Sequence, residues 1–535
     1  MTILVRDRRS VRNRLQTMLR CIRQSLPVGM LLSICVACSG LLSLTRFTSI
    51  PVGAFFDDAR YIVLAESMAT GHGYRLINFP HAPIETAFPP GWPLLLTPFV
   101  TLTADNFILL KLLALVLWLA CIPLMYTLFA LRLQKPHAIG LTVLIASNAL
   151  LIGMAGTVMS EAAYLFCSLL ALYLFETWRQ RAAPQRLMML VAVMAVTLFA
   201  ITIRTIGVAL LAALLVYLLR SLRWRQVGPI AGVLLLGALP LAWFNAQRGG
   251  ALIFSPLYQT HVTYVSAHVG YFARVWEHAA TIPYRTIATA FVPMIHFDKV
   301  SQELAPLLNG LYGGGVLLLA GWGFLLALRR FRITELYVLF YVAILYVWIV
   351  YTGELRVRLL IPLIPFGYFY LLGAFLWGVR RWRWHTVRAM PALPMVVLGL
   401  VLFLNLSDNA YAWLNPTRER VPDLSSGTTW VRRYAPADAI LMSVNPVPDY
   451  LYAQRRTLGY PNGADVDLDE YIEQNGIDYI LVRPNLNNWD NHQHQLDPYV
   501  AEHLLPHLMA HPLHFETVYQ KPDEQVFVYR VRSRE

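Results

Sequence analysis

Two adjacent carboxylates, Asp57 and Asp58, stand in the stretch FFDDARYIVLAESMATGHGYRLINFPHAPIETAFPPGWPLLLTPF, residues 55–99, just beyond the first long apolar run of the chain. Such a pair has three chemical uses: capping a helix, holding a divalent ion, or supplying a general base. Successive helical residues point about 100° apart, so these two carboxylates need not share a proton. Tyr61, Leu64, Ala65 and Met68 follow at i, i+3, i+4 and i+7. That spacing predicts a short amphipathic helix lying in the membrane interface and ending near Gly71. Capping by Asp57 would account for an acid at this point, but not for the return through Pro89, Pro90, Gly91, Trp92 and Pro93.

Other charged residues stand alone in apolar surroundings: Lys111, Glu161 in VMSEAAYLF, Arg204 in AITIRTIG, and Arg356 and Arg358 in RVRLLIPLIPF. Each has a plain reading. Lysine and arginine at a span end anchor at headgroups by snorkelling, and a glutamate at a helix start favours its N-terminus.

The elements that must position these groups are membrane helices. The 535 residues are 57% hydrophobic and 14% charged, and apolar runs of about 20 residues recur, the length that crosses a bilayer. Spans are expected near 26–46, 106–131, 137–156, 160–178, 187–203, 205–219, 228–246, 308–328, 333–351, 357–378 and 390–407, about 11 in all. The first reads as a retained span, not a cleaved signal. The N-terminus, 1–25, holds seven arginines against one acid and is expected in the cytoplasm. With it fall RLQK, RQRAAPQR, RSLRWR, RRFR and RRWRWHTVR, so that 22 of the 33 Lys and Arg before residue 408 are cytoplasmic. The loops 47–105 and 247–307 and the tail 408–535 are then external. By the same assignment Asp57, Glu161, Arg204 and Arg358 share one outer surface.

The net charge of +13 does not indicate a nucleic-acid partner. The tail holds 18 of the 31 acids and 11 of the 44 Lys and Arg, so the positive excess belongs to short membrane loops, where it sets topology. Cys35 and Cys38 form a C-x-x-C inside the first span and read as small apolar residues, with no second pair for a zinc site. His261, His268, His278, His296 and Asp298 lie in the second external loop without compact ligand spacing.

The tail reads as a small α/β domain. ADAILMSV, IDYILVR, HFETVYQ and QVFVYRV have the β-branched and aromatic content of strands. VDLDEYIEQNG has acids at its start and Gly476 after its end, as a capped helix should.

FDDARY, GHGY and FPPGWPLLL together resemble the first external loop of the GT-C superfamily of membrane glycosyltransferases, above all bacterial members related to protein O-mannosyltransferases and to the aminoarabinose transferases of lipid A. VMSEAAYLF, AITIRTIG and RLLIPLIPF are similar to further short motifs of that superfamily, with Leu359 where tyrosine is usual. The resemblance covers most of residues 26–407. It implies a GT-C-like bundle in the plasma (bacterial inner) membrane, a polyprenyl-phosphate sugar as donor, and a glycan, lipid or protein hydroxyl as acceptor. It places Asp57 and Asp58 at the catalytic carboxylates, with Arg204, Arg358 and Glu161 toward the donor phosphate; Arg356 and Lys111, outside the matched motifs, are expected as further cations near it. Arginine suits phosphate because it stays charged and can donate two parallel hydrogen bonds. A carboxylate in reach of the acceptor hydroxyl would take its proton, and one direct displacement would invert the anomeric carbon. No cofactor is required; a divalent cation at Asp57 and Asp58 is left open. The alternative is a transporter or flippase of a lipid-linked sugar, which should show broken helices or polar groups at mid-membrane depth.

Overall fold

The computed structural model describes residues 28–47, 50–103, 106–178, 183–221, 224–248, 303–352, 357–381, 393–414, 423–461, 466–485 and 496–532. The basic N-terminus, Arg356 and most of the second long loop, with its four histidines and Asp298, lie outside the described residues.

Fourteen helices precede the sheet domain among these residues: α1 (Val28–Leu44), α2 (Asp57–Ala69), α3 (Gly91–Thr103), α4 (Ile108–Ala130), α5 (Lys135–Ala146), α6 (Ala149–Ala155), α7 (Glu161–Trp178), α8 (Ala183–Ile203), α9 (Val208–Ser221), α10 (Trp224–Ala246), α11 (Ala305–Leu328), α12 (Ile333–Thr352), α13 (Ile364–Arg381) and α14 (Leu393–Leu414). Lipid offers the backbone no hydrogen-bond partner, so apolar segments close their own N–H and C=O groups as helices. Six are long and apolar enough to span a bilayer, or seven if the bent pair α5–α6 is one span. The expected count of about 11 is therefore not confirmed: α1 is 17 residues long, and α7 carries Glu161 and Glu176 at its two ends.

One expected span is broken. Residues 137–156 read as a continuous apolar run, yet α5 and α6 meet at a 58° bend. Asn148 starts α6, its Oδ1 accepting the Leu151 N–H at 3.2 Å. The carbonyls freed at the break find side-chain donors: Asn405 Nδ2 on Leu144 (3.0 Å), Ser39 Oγ on Ala146 (2.9 Å) and Asn409 Nδ2 on Ser147 (2.9 Å). Without them the orphan groups would destabilise the bundle in an apolar medium. Asn409 is available because α14 runs on through Leu414 instead of ending at 407.

At one end of the bundle Arg132 bridges Glu176 of α7 and Glu335 of α12, each at 2.5 Å, with Glu335 fully buried. Glu161 starts the same helix α7, about 22 Å away at 1.5 Å per residue. The bundle thus carries separate charged clusters at opposite ends.

After α14 come α15 (Thr428–Tyr434), β1 (Ile440–Ser443), α16 (Pro446–Ala453), β2 (Arg456–Leu458), α17 (Leu468–Asn475), β3 (Tyr479–Val482), α18 (Leu505–Ala510), β4 (Phe515–Lys521) and β5 (Val526–Val531). The sheet order is β2-β1-β3-β5-β4, with β2, β1 and β3 parallel and the other two pairings antiparallel. α17 is capped as its sequence predicts: Asp467 accepts the N–H groups of Asp469 and Glu470, and Gly476 closes it at φ 60°. β2 and α16 were not anticipated. α2 is also more enclosed than an interfacial helix: Ile62 and Val63 are as buried as Tyr61, Leu64 and Ala65, because α16 packs on it.

Candidate functional site

The two aspartates divide their work. The N-cap position of α2 is Phe56, with no side-chain cap bond, so Asp57 is not a cap. Its Oδ2 lies 2.5 Å from Arg358 Nη2, and both side chains are one-fifth exposed. Asp58 is fully buried and turned inward, accepting the Gly53 N–H at 2.8 Å and the Ala59 N–H at 3.0 Å. Burial pushes its carboxyl up to about 6, against the pull of those backbone donors. Asp57 faces the open side of the site; Asp58 holds the turn behind it.

Arg358 enters from a 3-10 helix, Val357–Leu363, that leads into α13. Pro362 and Pro365 lack N–H donors, which favours this tighter turn over a longer α-helix. The Leu359 carbonyl is fixed by the Tyr341 hydroxyl at 2.9 Å.

A second charge pair stands beside the first. Arg204, between α8 and α9, lies 2.6 Å from Glu161 and donates to Ser160 Oγ at 3.1 Å. Ser160 Oγ is 3.4 Å from the Tyr61 hydroxyl, and Tyr61 is one helical turn on from Asp57. Arg358 lies within electrostatic reach of Asp57, Glu161, Arg204 and Tyr61. Glu161 Oε2 and Arg358 Nε are buried with no hydrogen-bond partner among the described residues. An acceptor and a donor are thus left without a partner from those residues beside the two ion pairs.

The structure brings together Asp57, Glu161, Arg204 and Arg358. Lys111 does not join them: its ammonium donates to the carbonyls of Phe47 (2.6 Å) and Ile50 (2.8 Å) and ties down the chain leaving α1. Pro89 and Pro90 lead into α3, held by the Tyr74 hydroxyl on the Phe88 and Pro89 carbonyls at 3.0 and 3.1 Å. Gly91 lies so close to α8 that a Cβ there would sit 2.6 Å from the Thr202 carbonyl carbon. Trp92, fully buried, donates Nε1 to the Val158 carbonyl at 3.1 Å. The loop is therefore packed beside the start of α7, which carries Glu161, and onto the end of α8, next to Arg204.

Sequence reasoning missed Ser160 and treated Tyr61 only as part of an apolar stripe; its place four residues after Asp57 was the available signal. It also missed Arg60, 2.8 Å from a fully buried Glu85. The Glu85 carbonyl is bonded in turn by Arg248 at 2.5 Å. Beside Pro90 an apolar groove of about 480 Å³ runs between α8 and α10, lined by Leu198, Thr202, Pro240 and Phe244 among others.

Asp57 and Asp58 do not form a ready chelating pair, since their oxygens are turned to a guanidinium and to backbone N–H groups. No group of three or more His, Cys, Asp or Glu side chains converges among the described residues.

A helical bundle followed by a small α/β domain is a fold found in solved structures as well. Solved structures bear out the fold. The oligosaccharyltransferase AglB of Archaeoglobus fulgidus, in complex with zinc and sulfate, superposes with a TM-score of 0.55 at 13% identity, over 93% of this chain and 73% of that one. ArnT of Cupriavidus metallidurans, bound to undecaprenyl phosphate, gives 0.53 at 14% identity, over 94% and 98%. AglB has also been solved with an inhibitory peptide and a dolichol-phosphate, at 0.54 and 12%. No protein-family profile matches the chain, and neither does any curated protein.

Proposed function

We propose that the protein is an inverting glycosyltransferase that moves a sugar from a polyprenyl-phosphate donor to an acceptor hydroxyl on the outer face of the plasma membrane. The observation that carries this reading is the 2.5 Å pair of Asp57 with Arg358 beside the 2.6 Å pair of Glu161 with Arg204. A base and two permanent cations stand at one membrane end, where a lipid phosphate and a water-borne acceptor can meet.

The donor phosphate draws Arg358 away from Asp57, and the guanidinium stabilises the charge that develops as the bond from the anomeric carbon to the phosphate oxygen breaks. Asp57, freed, accepts the proton of the acceptor hydroxyl as that oxygen bonds to the anomeric carbon from the opposite face. Polyprenyl phosphate leaves with the bonding electron pair, and the configuration inverts. Glu161 Oε2 is placed to accept a hydrogen bond from a substrate hydroxyl, while Arg204 balances its charge. The groove beside Pro90 offers an apolar bed for the polyprenyl chain. The lipid phosphates bound to ArnT and AglB support the donor class. The sugar and the acceptor (glycan, lipid or protein) are to be found by assay.

The test is transfer from a panel of labelled polyprenyl-phosphate sugars in proteoliposomes supplied with envelope glycan, lipid and protein acceptors. Release of polyprenyl phosphate is expected with one donor. A donor that crosses the bilayer chemically unchanged would instead establish the transporter.

A further inference from the structure

The turn that delivers Asp57 is an unfavourable one. Phe56 sits at φ 57°, ψ −46°, and the Asp57 N–H closes onto the Phe55 carbonyl at 2.5 Å. This is a γ-turn of positive φ, rare and strained for a residue with a side chain. Three residues before it Gly53 stands at φ 100°. Such a conformation persists only where its surroundings hold it.

Two of the holding contacts come from the membrane domain: Asp58 on the Gly53 N–H and Lys111 on the Phe47 and Ile50 carbonyls. The third comes from the sheet domain. The Tyr452 hydroxyl, on α16, donates to the Val52 carbonyl at 2.7 Å, and its ring meets Phe107 edge-on at 5.9 Å. Leu424 and Pro448 press on Gly53 so closely that a Cβ there would lie 3.1 Å from each.

The position of α16 is itself fixed from inside the sheet domain. It leaves β1 toward β2 on one side, while β3 lies on the other, so its N-terminus stands where the strand order reverses. There Asp449 of α16 and Arg483 at the end of β3 form an ion pair at 2.6 Å with essentially no exposure. Open α/β sheets ordinarily bind ligands at this crevice; here a buried ion pair stands at it. Arg483 Nη1 also reaches the carbonyl of Leu424, the residue that abuts Gly53, at 3.4 Å. One line of contacts runs from Arg483 through Asp449 and α16 to Tyr452, Val52, Phe56 and Asp57.

We infer that Tyr452 is a positioning residue: through it the C-terminal domain holds the strained turn that aims Asp57 at the acceptor hydroxyl. The catalytic part of this inference rests on the transferase reading; the structural part does not.

The experiment compares the full-length wild type with Tyr452→Phe and Tyr471→Phe in lipid nanodiscs, by hydrogen exchange and by polyprenyl phosphate release. Tyr471 is the control, since its hydroxyl also bonds a carbonyl, Gly459 at 3.0 Å, but within the domain and away from the turn. In Tyr452→Phe the amides of Gly53 and Asp57 should exchange about fivefold faster, as the loss of one hydrogen bond allows. The kcat should fall about tenfold with the donor KM unchanged. Tyr471→Phe should leave both readouts as in the wild type. Wild-type exchange at 50–60 in Tyr452→Phe, or equal losses in Tyr471→Phe, would overturn the inference. If the wild type turns over no donor, the exchange result still decides the positioning, and it is the transferase reading that fails.

Discussion

Arg358 Nη2 stands 2.5 Å from Asp57 Oδ2, and neither side chain is sealed from solvent. The proposed base is thus paired with the proposed phosphate ligand before any substrate arrives, and donor binding has to separate them. In the proposed mechanism the pair is a resting state that the donor itself releases. Arg358→Lys keeps the charge but loses the forked geometry. It should raise the donor KM about tenfold or more and lower kcat, measured by steady-state release of polyprenyl phosphate.

Glu161 and Arg204 separate a structural from a functional role. Glu161→Gln leaves a buried guanidinium without its counter-charge, and a loss of about 3–5 kcal/mol of stability is expected. Replacing the pair together, as Glu161→Leu with Arg204→Met, should restore most of that stability. Turnover should remain lost, because the site keeps Arg358 and Asp57 but no longer has the second cation and the second acceptor beside them. Thermal unfolding in detergent beside a turnover assay checks both halves.

Asp58 predicts a pH effect opposite to that of an ordinary paired carboxylate. Its pKa in the fold, pushed up to about 6, lies above the ordinary carboxylate value of an unfolded chain. The fold therefore binds the proton more tightly than the unfolded chain does. The stabilisation this brings is full below the unfolded pKa and is lost as pH rises through about 6, with a total of at most about 3 kcal/mol. Asp58→Asn should abolish that slope between pH 4 and 6, so the stability difference from wild type should depend on pH there and not above pH 7.

Gly91→Ala should destabilise through the close approach of α3 to α8. The added Cβ would meet backbone atoms of Thr202, which cannot swing aside as a flexible side chain can. A loss of about 1–3 kcal/mol is expected, with turnover reduced in proportion to the displaced loop. Denaturation of the variant in parallel with wild type measures it.

Much of the site was legible because charge in an apolar sequence is conspicuous. Asp57, Glu161, Arg204 and Arg358 stand out from their surroundings, and loop charges alone placed them at one end. The division between Asp57 and Asp58 was not legible. It depends on the positive φ of Gly53 and Phe56, held by Asp58, by Lys111 and by contacts from α16 some 400 residues away in sequence. The break at Ser147 and Asn148 was hidden for a similar reason: the apolar run continues across it, and the donors that satisfy it belong to α1 and α14. Lys111 was misjudged because a lysine near a span end reads the same whether it faces headgroups or two carbonyls of its own chain. In the tail, β2 spans three residues, too few to leave an alternating pattern.

In the proposed reaction Asp57 takes the acceptor proton. The most direct measurement is single-turnover sugar transfer by wild type, Asp57→Asn and Asp58→Asn in proteoliposomes, with donor affinity measured separately in each. Asp57→Asn should bind the donor as well as wild type or better and transfer about 10² to 10⁴ times more slowly. Asp58→Asn should retain most of its rate at neutral pH. A wild-type transfer rate in Asp57→Asn, or a dead Asp58→Asn that is fully folded, would contradict it.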